Sequence, residues 1–256
     1  MAELRNARKT ERGTIRVSNA DLEDFARQQL REYDPRHFDG SHPLDIDDFV
    51  EFHLGRTVRY YRLSHGDEEG RTLGTTAVTD GILPIIDDEG FPDVKAVRKG
   101  DIAIDEAACG SEERRRFTLA HEAWHSQFDV GANLAQVGDF GSLSDTFLSI
   151  EGKTVKVRKR TQRDWSEYHA DVYASYLLMP REFVCELFDR YHRTLIGSGR
   201  EIDESDPELT WNFARRIAED LGVSTTAAIY RLRRLNLITE EVLLSVGLGK
   251  KEGGAK

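Results

Sequence analysis

Two histidines four residues apart are the side chains in this sequence best placed for metal chemistry. Residues 121–125 read His-Glu-Ala-Trp-His. Positions i and i+4 of a helix share one face, so this spacing predicts that His121 and His125 point at one metal ion. Glu122 lies beside them, close enough to take a proton from a water held by that metal. The arrangement is typical of zinc peptidases, in which two imidazoles bind Zn²⁺ and the glutamate is the general base.

The residues around this motif predict a helix over 111–128 with both histidines on its buried side. Ser111 is a suitable N-cap, and Glu112 and Glu113 suit the positive end of the helix dipole. Four apolar residues recur at helical spacing on the side of the histidines: Phe117, Ala120, Trp124 and Phe128. The alternative interpretation is a pair of buried histidines that are hydrogen-bonded to backbone carbonyls.

A second predicted helix, over 165–180, offers a third ligand and ends at Met179-Pro180. One face of this helix carries Glu167, Ala170, Asp171, Ala174 and Leu178. Glu167 can complete a His-His-Glu site, and the two alanines allow close packing against another helix. Asp171 lies one turn later, where it can accept the free ring N–H of a ligand histidine. The alternative is a solvated acidic face.

These two segments together resemble the ImmA/IrrE family of metallopeptidases. The resemblance rests on RRFTLAHEAWH (115–125) and EYHADVYASYLLMP (167–180), and a weaker similarity extends from about residue 43 to about 238. It implies that His121, His125 and Glu167 bind Zn²⁺ and that Glu122 is the catalytic base. It also implies that the substrate is a helix-turn-helix transcriptional repressor, whose cleavage derepresses stress-response, mobile-element or toxin–antitoxin genes.

The sequence departs from that family in two places. Trp124 stands where the family commonly has a small residue, often glycine, and a bulky side chain there would narrow the cleft beside the metal. The 41 residues between His125 and Glu167 make a long connection. Neither departure removes a ligand.

Composition indicates a soluble protein of the cytoplasm. The net charge is −10 and 39% of the residues are hydrophobic, enough for a core. The charge argues against nonspecific nucleic-acid binding by the whole surface. Cys109 and Cys185 are the only cysteines, so no disulfide framework is expected. The N-terminus lacks the apolar core of a signal peptide, and no apolar run is long enough to span a membrane.

The order of elements predicts an α+β fold. Helical periodicity occupies about 21–33 and 45–54; strand-like segments follow at 58–63, 73–78, 82–86 and 101–105, with Asp80-Gly81 as a hairpin signal. With the resemblance, this order implies a small zincin-like metallopeptidase core, with a short sheet, the HExxH helix and the ligand helix, followed by a helical C-terminal extension. We expect a metallopeptidase domain over 15–198 and a helical segment over 206–248, with 1–14 and 249–256 disordered.

Two further segments suggest binding surfaces. The connection between the two metal-binding helices carries a basic cluster: Lys153, Lys156, Arg158, Lys159, Arg160 and Arg163. It is either a solvated loop or a docking surface for an acidic partner, and less readily for DNA. Near the C-terminus, helices beginning at Asp206-Pro207 and Ser224 look like a helix-turn-helix. Arg231, Arg233 and Arg234 would then meet phosphates; the alternative is a helical pair that packs on the core.

Two other functions remain open from the sequence. One is a DNA-binding regulator whose metal site is structural or inactive. The other is a module that captures a repressor without cutting it. For an enzyme, the residue that stabilises the oxyanion is not identified by the sequence, and Tyr168, His169 and Tyr173 are the candidates.

Overall fold

The computed structural model describes residues 2–9, 15–36, 42–64, 72–128, 162–197 and 206–239. These ranges contain both helices and short sheets, which confirms the predicted α+β class. By density of contacts the chain forms two compact units. The first holds the described residues of Met1–Tyr33 and Asp45–Leu177, and the second those of Asp34–Leu44 and Leu178–Lys256. Contact density is a different criterion from independent folding, so the domain ranges 15–198 and 206–248 stay a prediction.

One three-stranded sheet of the first unit lies against the helix of the HExxH motif. Its strands are β3 (Val58–Tyr60), β5 (Gly74–Thr76) and β8 (Ile102–Ile104), in the order β3-β8-β5. The central strand β8 pairs in parallel with β3 and antiparallel with β5. All three residues of β8 are buried, as expected for a strand that is covered on both faces. The motif helix contacts both the central strand β8 and the edge strand β5.

A second sheet corrects the predicted hairpin at Asp80-Gly81. It contains β4 (Arg62–Leu63), β6 (Gly81–Ile86) and β7 (Pro92–Val97), in the order β4-β6-β7. The strands on either side of Asp80-Gly81 belong to different sheets, and the Asp80 carboxylate instead accepts the Lys99 N–H. The hairpin joins β6 to β7 through a turn in which Asp87 accepts backbone N–H groups and Gly90 has φ +91°. Strand β7 was not predicted from the sequence.

Five helices complete the first unit among the described residues: α1 (Asn19–Tyr33), α2 (Ile46–Asp48), α3 (Glu106–Cys109), α4 (Glu112–Phe128) and α5 (Gln162–Leu178). The predicted helices at 21–33, 111–128 and 165–180 are confirmed within a few residues. The predicted helix at 45–54 is α2 followed by a π-helical segment, Phe49–His53. The short helix α3 was not predicted.

The second unit is helical in its described part, with α6 (Arg181–Gly197), α7 (Pro207–Leu221) and α8 (Thr225–Arg234). The predicted caps are confirmed: Asp206 and Ser224 accept backbone N–H groups, and Gly222 ends α7 with φ +62°. Helix α6 was not predicted from the sequence.

Several predictions fall on residues outside the described ranges. These include the C-terminal tail 249–256 and all of the basic cluster except Arg163. Arg163 lies in α5, but its side chain is not described. The predicted N-terminal arm, 1–14, contains β1 (Arg8–Lys9), which pairs with β2 (Ile15–Arg16) just after the arm. None of the helices in the described ranges combines the length and the apolar character needed to cross a lipid bilayer.

Candidate metal centre

The start of α4 is held by an N-cap hydrogen bond and by the ion pairs of Arg115. Ser111 Oγ accepts the Arg114 N–H at 3.3 Å, as predicted for the N-cap. One turn along, the Arg115 guanidinium lies 2.9 Å from the Asp47 carboxylate and 2.7 Å from Glu112. Arg115 Nη1 also donates to the Tyr60 hydroxyl at 2.5 Å. These contacts join α4 to α2 and β3 before the chain reaches the two histidines.

The structure brings the three predicted metal ligands together. His121 and His125 are buried one above the other on α4, and Glu167 of α5 is buried opposite them. The two Nε2 atoms are 3.0 Å apart. Glu167 Oε2 lies 3.3 Å from His121 Nε2, and Oε1 lies 3.8 Å from His125 Nε2. Each residue thus turns a potential ligand atom toward one point, and all these atoms lie within 4.8 Å of one another.

These separations between ligand atoms fit a small cation with tetrahedral coordination. Two ligand atoms about 2.1 Å from an ion and at a tetrahedral angle are about 3.4 Å apart. The observed separations of 3.0, 3.3 and 3.8 Å lie on both sides of this value. Two imidazoles and one carboxylate are also a donor set that zinc accepts with a fourth position left to solvent or substrate. The described residues therefore form a centre that can bind a metal ion.

Asp171 sets the proton on His121. Its Oδ1 lies 3.0 Å from His121 Nδ1, as predicted, one helical turn beyond Glu167. An ionised carboxylate only accepts, so Nδ1 carries a hydrogen, and whenever the ring is neutral its lone pair is on Nε2, which faces the centre. Burial alone would lower the pKa of His121, but the hydrogen bonds to Asp171 and Glu167 outweigh it and raise this pKa to about 10. The surroundings thus favour positive charge at this point.

Glu122 is fully buried beside the centre, and its two carboxylate oxygens differ. Oε2 accepts a hydrogen bond of 2.7 Å from Thr76 Oγ1 on β5, and this hydroxyl also lies 3.2 Å from the Glu122 carbonyl oxygen. Oε1 is buried without a hydrogen-bond partner among the described residues. A buried carboxylate oxygen without a donor is costly, and such exceptions often mark a reactive group.

The edge strand β5 touches α4 closely because Gly74 has no side chain. A Cβ at Gly74 would lie 2.7 Å from Thr118 Cγ2 and 3.0 Å from Glu122 Cγ. Gly74 and Thr76 are two residues apart and so share one face of the strand. That face of β5 packs against α4 next to the Glu122 side chain. Neither residue was singled out by the sequence analysis, because nothing in their spacing shows which helix the strand contacts.

A buried polar network joins α1, α4 and α5 behind the centre. The Tyr173 hydroxyl donates to Gln29 Oε1 at 2.6 Å, and Gln29 Nε2 donates to Gln127 Oε1 at 2.8 Å. Gln127 Nε2 in turn donates to the Tyr173 hydroxyl at 3.3 Å. Because the three groups satisfy one another, they can be buried between helices at little cost.

Trp124 packs into the interior instead of narrowing a cleft, contrary to the prediction. Its ring lies 4.2 Å from the Phe128 ring, 5.7 Å from His169 and 5.6 Å from Tyr173, and it is 1% exposed. The reason is helical phase: at i+3 from His121, the indole is turned toward the aromatic side chains of α5. Alanines at 170 and 174, both fully buried, leave room between the helices.

Two of the three oxyanion candidates have partners elsewhere. The Tyr173 hydroxyl belongs to the buried network, and burial raises its pKa. Tyr168 exchanges hydrogen bonds with the Asn19 side chain at 2.9 and 3.0 Å. His169 is fully buried, between the rings of Trp124 and Trp165. None of these contacts places a donor beside the three ligand residues.

The suggested phosphate-binding arginines do not act as a set. Arg231 is 2% exposed, and its Nε donates to the Met179 carbonyl at 2.9 Å, so it stabilises the second unit instead of facing solvent. Arg234 is exposed and Arg233 partly so.

In comparisons with known proteins, no family model matches this chain and no curated protein gives a significant match.

Proposed function

We propose that this chain is a zinc-dependent endopeptidase with a zincin-like core. The observation that carries the proposal is the buried Glu122 carboxylate next to the His121–His125–Glu167 cluster. Thr76 bonds its Oε2, and its Oε1 has no hydrogen-bond partner in the part of the chain that the structure describes. A purely structural zinc site is normally closed by four protein ligands and needs no base beside it. Three ligands and an adjacent carboxylate are the parts that hydrolysis requires.

The roles of the residues follow from their contacts. His121, His125 and Glu167 would hold the ion, and Asp171 would keep His121 in the tautomer that binds it. A zinc ion, when bound, supplies a Lewis acid that acidifies water and polarises a peptide carbonyl. Glu122 would accept the proton of the attacking water on Oε1, the oxygen that Thr76 does not hold. It would return this proton to the amine nitrogen as the C–N bond breaks.

The proposed substrate is a helix-turn-helix transcriptional repressor, on the strength of the resemblance to the ImmA/IrrE family. A folded domain hides its backbone, so we expect the cut in a linker or a locally unfolded helix of that partner. Cleavage would derepress stress-response, mobile-element or toxin–antitoxin genes, and the reaction would take place in the cytoplasm. An endopeptidase acting among folded cellular proteins must be selective, so casein should be a poor substrate.

The experiment is cleavage of the helix-turn-helix regulator encoded beside this gene, with zinc supplied. The wild-type protein should cut it at one position, identified by mass spectrometry. Glu122→Gln keeps the size of the side chain but removes the base, so its cleavage should be slower by about a thousandfold while zinc content is kept. Neutralising Lys156, Arg158, Lys159 and Arg160 should slow cleavage of the partner without lowering zinc content if the basic segment is a docking surface.

Three outcomes would contradict the proposal. Full activity in Glu122→Gln would exclude the glutamate as the base. Stable binding of the regulator without any cut, with zinc bound, would favour the capture module. General digestion of casein would contradict selectivity.

A further inference from the structure

Strand β7 lies at the edge of its sheet, and the backbone groups on its outer side can be identified. Among the described residues no strand pairs with β7 on the side away from β6. The Ser64 N–H donates to the Pro84 carbonyl, so Pro84 directs its carbonyl toward β4 and away from β7. Its partner across the hairpin is Val94, which must then direct its own N–H and C=O away from β6. By alternation, the same holds for the Ala96 N–H and for the carbonyls of Pro92 and Ala96.

From Pro92 to Ala96 the side chains of β7 alternate between apolar and charged, and the last residue, Val97, lies on the charged face. Pro92, Val94 and Ala96 share one face, and they lie opposite Ile86, Pro84 and Ile82 of β6. This face is thus entirely apolar across both strands, although Ile82 is 56% and Val94 52% exposed. The other face of β7 carries Asp93 and Lys95, whose side chains are 2.7 Å apart and partly exposed.

These two patterns make the strand complementary to itself. In an antiparallel pair with a second β7 and a two-fold axis at Val94, Asp93 lies opposite the partner's Lys95, and Lys95 opposite the partner's Asp93. Val94 meets the partner's Val94, and Pro92 meets the partner's Ala96. The charged residues occupy the positions without backbone hydrogen bonds, where opposed side chains are closest.

Neighbouring registers are worse for reasons of charge and hydrogen bonding. A shift of the axis to residue 93 sets Asp93 against the partner's Asp93, and a shift to residue 95 sets Lys95 against the partner's Lys95. An axis between two residues would bring the apolar face of one strand next to the charged face of the other. Such an axis would also place backbone N–H and C=O groups that point away from β6 in one copy opposite groups that point toward β6 in the other. The axis at Val94 is the one that satisfies both requirements.

We propose that the protein forms a homodimer in which β7 pairs antiparallel with β7 of a second copy across a two-fold axis at Val94. The Val94 N–H donates to the partner's Val94 carbonyl, and the Ala96 N–H donates to the partner's Pro92 carbonyl. Among the described residues the Val94 N–H meets only the exposed Asp93 carboxylate, which a backbone carbonyl can displace. Pro92 has no N–H, a feature that limits edge pairing, so the contact is short and the two opposed charge pairs define its register. The dimer does not depend on the proposed peptidase activity.

The test is charge reversal, read as molar mass by light scattering and as a dissociation constant by analytical ultracentrifugation. The wild-type protein should have twice the chain mass of 29.1 kDa. Asp93→Lys and Lys95→Asp should each weaken self-association by about tenfold or more, because like charges then lie opposite each other. Two arms should restore it: the double variant Asp93→Lys/Lys95→Asp, and an equimolar mixture of the two single variants. In that mixture the heterodimer pairs every charge with its opposite.

Matched controls separate register from net charge and from folding. Asp88→Lys and Lys99→Asp make the same changes of charge at exposed positions outside β7 and should leave association unchanged. Val94→Pro removes an N–H that does not bond to β6 and that meets only the exposed Asp93 carboxylate among the described residues, so it should abolish the dimer while thermal unfolding of the monomer changes little. A wild-type protein that stays monomeric at its solubility limit would overturn the proposal. So would a dimer that survives Val94→Pro, or single variants that do not recombine on mixing.

Discussion

The Thr76 hydroxyl donates a 2.7 Å hydrogen bond to Glu122 Oε2, and so connects an edge strand to the glutamate of the HExxH helix. A glutamate side chain has several rotamers, and its carboxylate can turn about its last bond. The hydrogen bond from Thr76 holds Oε2 of Glu122 against β5 and leaves Oε1 of the same carboxylate directed away from that strand. The direction in which Glu122 can take a proton is therefore set by a residue on another element.

Thr76→Val should slow peptide cleavage and also destabilise the fold. Valine has nearly the shape of threonine but no hydroxyl, so the buried Glu122 Oε2 would lose its donor. Loss of a hydrogen bond to a buried charged group costs about 1 to 3 kcal/mol of the free energy of unfolding, which denaturant titration measures. If Thr76 orients the base, kcat should fall by about tenfold or more, with KM and zinc content little changed.

Thr76→Ser is the matched control, since it keeps the hydroxyl and loses one methyl group. Its kcat should stay close to that of the wild type. Equal losses of kcat in the serine and valine variants would show that packing of the strand, and not the hydrogen bond, is what matters.

Gly74→Ala should destabilise the protein by about 1 to 3 kcal/mol, because the added methyl group meets a filled space. Its Cβ would lie 2.7 Å from Thr118 Cγ2. Thr118→Ser removes that methyl group while keeping the hydroxyl that donates to the Arg114 carbonyl. The double variant should therefore recover part of the loss. Additive effects of the two changes would mean that the clash with Thr118 does not cause the instability.

Asp171→Asn should weaken zinc binding by about 10- to 100-fold, since the amide no longer offers a charged acceptor to His121 Nδ1. Competition with a chelator measures this affinity. Asp24→Asn is a suitable control because Asp24 is exposed on α1 and carries the same charge. An unchanged affinity in Asp171→Asn would show that the 3.0 Å contact with His121 does not affect the metal.

The sequence predicts the metal cluster well because its information is local. His121, Glu122 and His125 share one helix, and their relative positions follow from helical spacing alone. Glu167 and Asp171 share a second helix whose alanines show which face is packed. Only the approach of the two helices had to be inferred, and the structure confirms it.

The contacts of strands were much less predictable, because strand pairing joins residues that are distant in sequence. Asp80-Gly81 has the composition of a tight hairpin, yet its flanking strands pair with β8 and β4. Thr76 was predicted to lie in a strand. Neighbouring strand residues face opposite sides, but Thr75 and Thr76 are both threonines, so the sequence does not show which of them faces Glu122. Likewise, the charge of Arg231 suggests exposure, and only the packing of α8 reveals that it bonds the Met179 carbonyl.

Acid should weaken the contact between Asp47 and Arg115 at the start of α4. Burial raises the pKa of Asp47, but hydrogen bonds from Arg115 and Tyr60 outweigh it, so the pKa lies below the ordinary value of 3.8. A carboxyl whose pKa is lowered by folding stabilises the fold above its unfolded pKa, and this contribution is lost as pH falls through the folded pKa. The wild type should thus lose stability below about pH 4 more steeply than Asp47→Asn. Parallel curves of unfolding free energy against pH would exclude this contribution.

Zinc should stabilise the protein through its ligands and independently of Glu122. An ion that binds only the folded state at a hundred times its dissociation constant raises the free energy of unfolding by about 2.7 kcal/mol. Calorimetry with and without zinc should show this gain in the wild type and in Glu122→Gln. It should be absent in His125→Ala, because the Nε2 atom 3.0 Å from that of His121 is removed. A gain that survives in His125→Ala would place the ion elsewhere, whereas its loss in Glu122→Gln would make that glutamate a ligand and not a base.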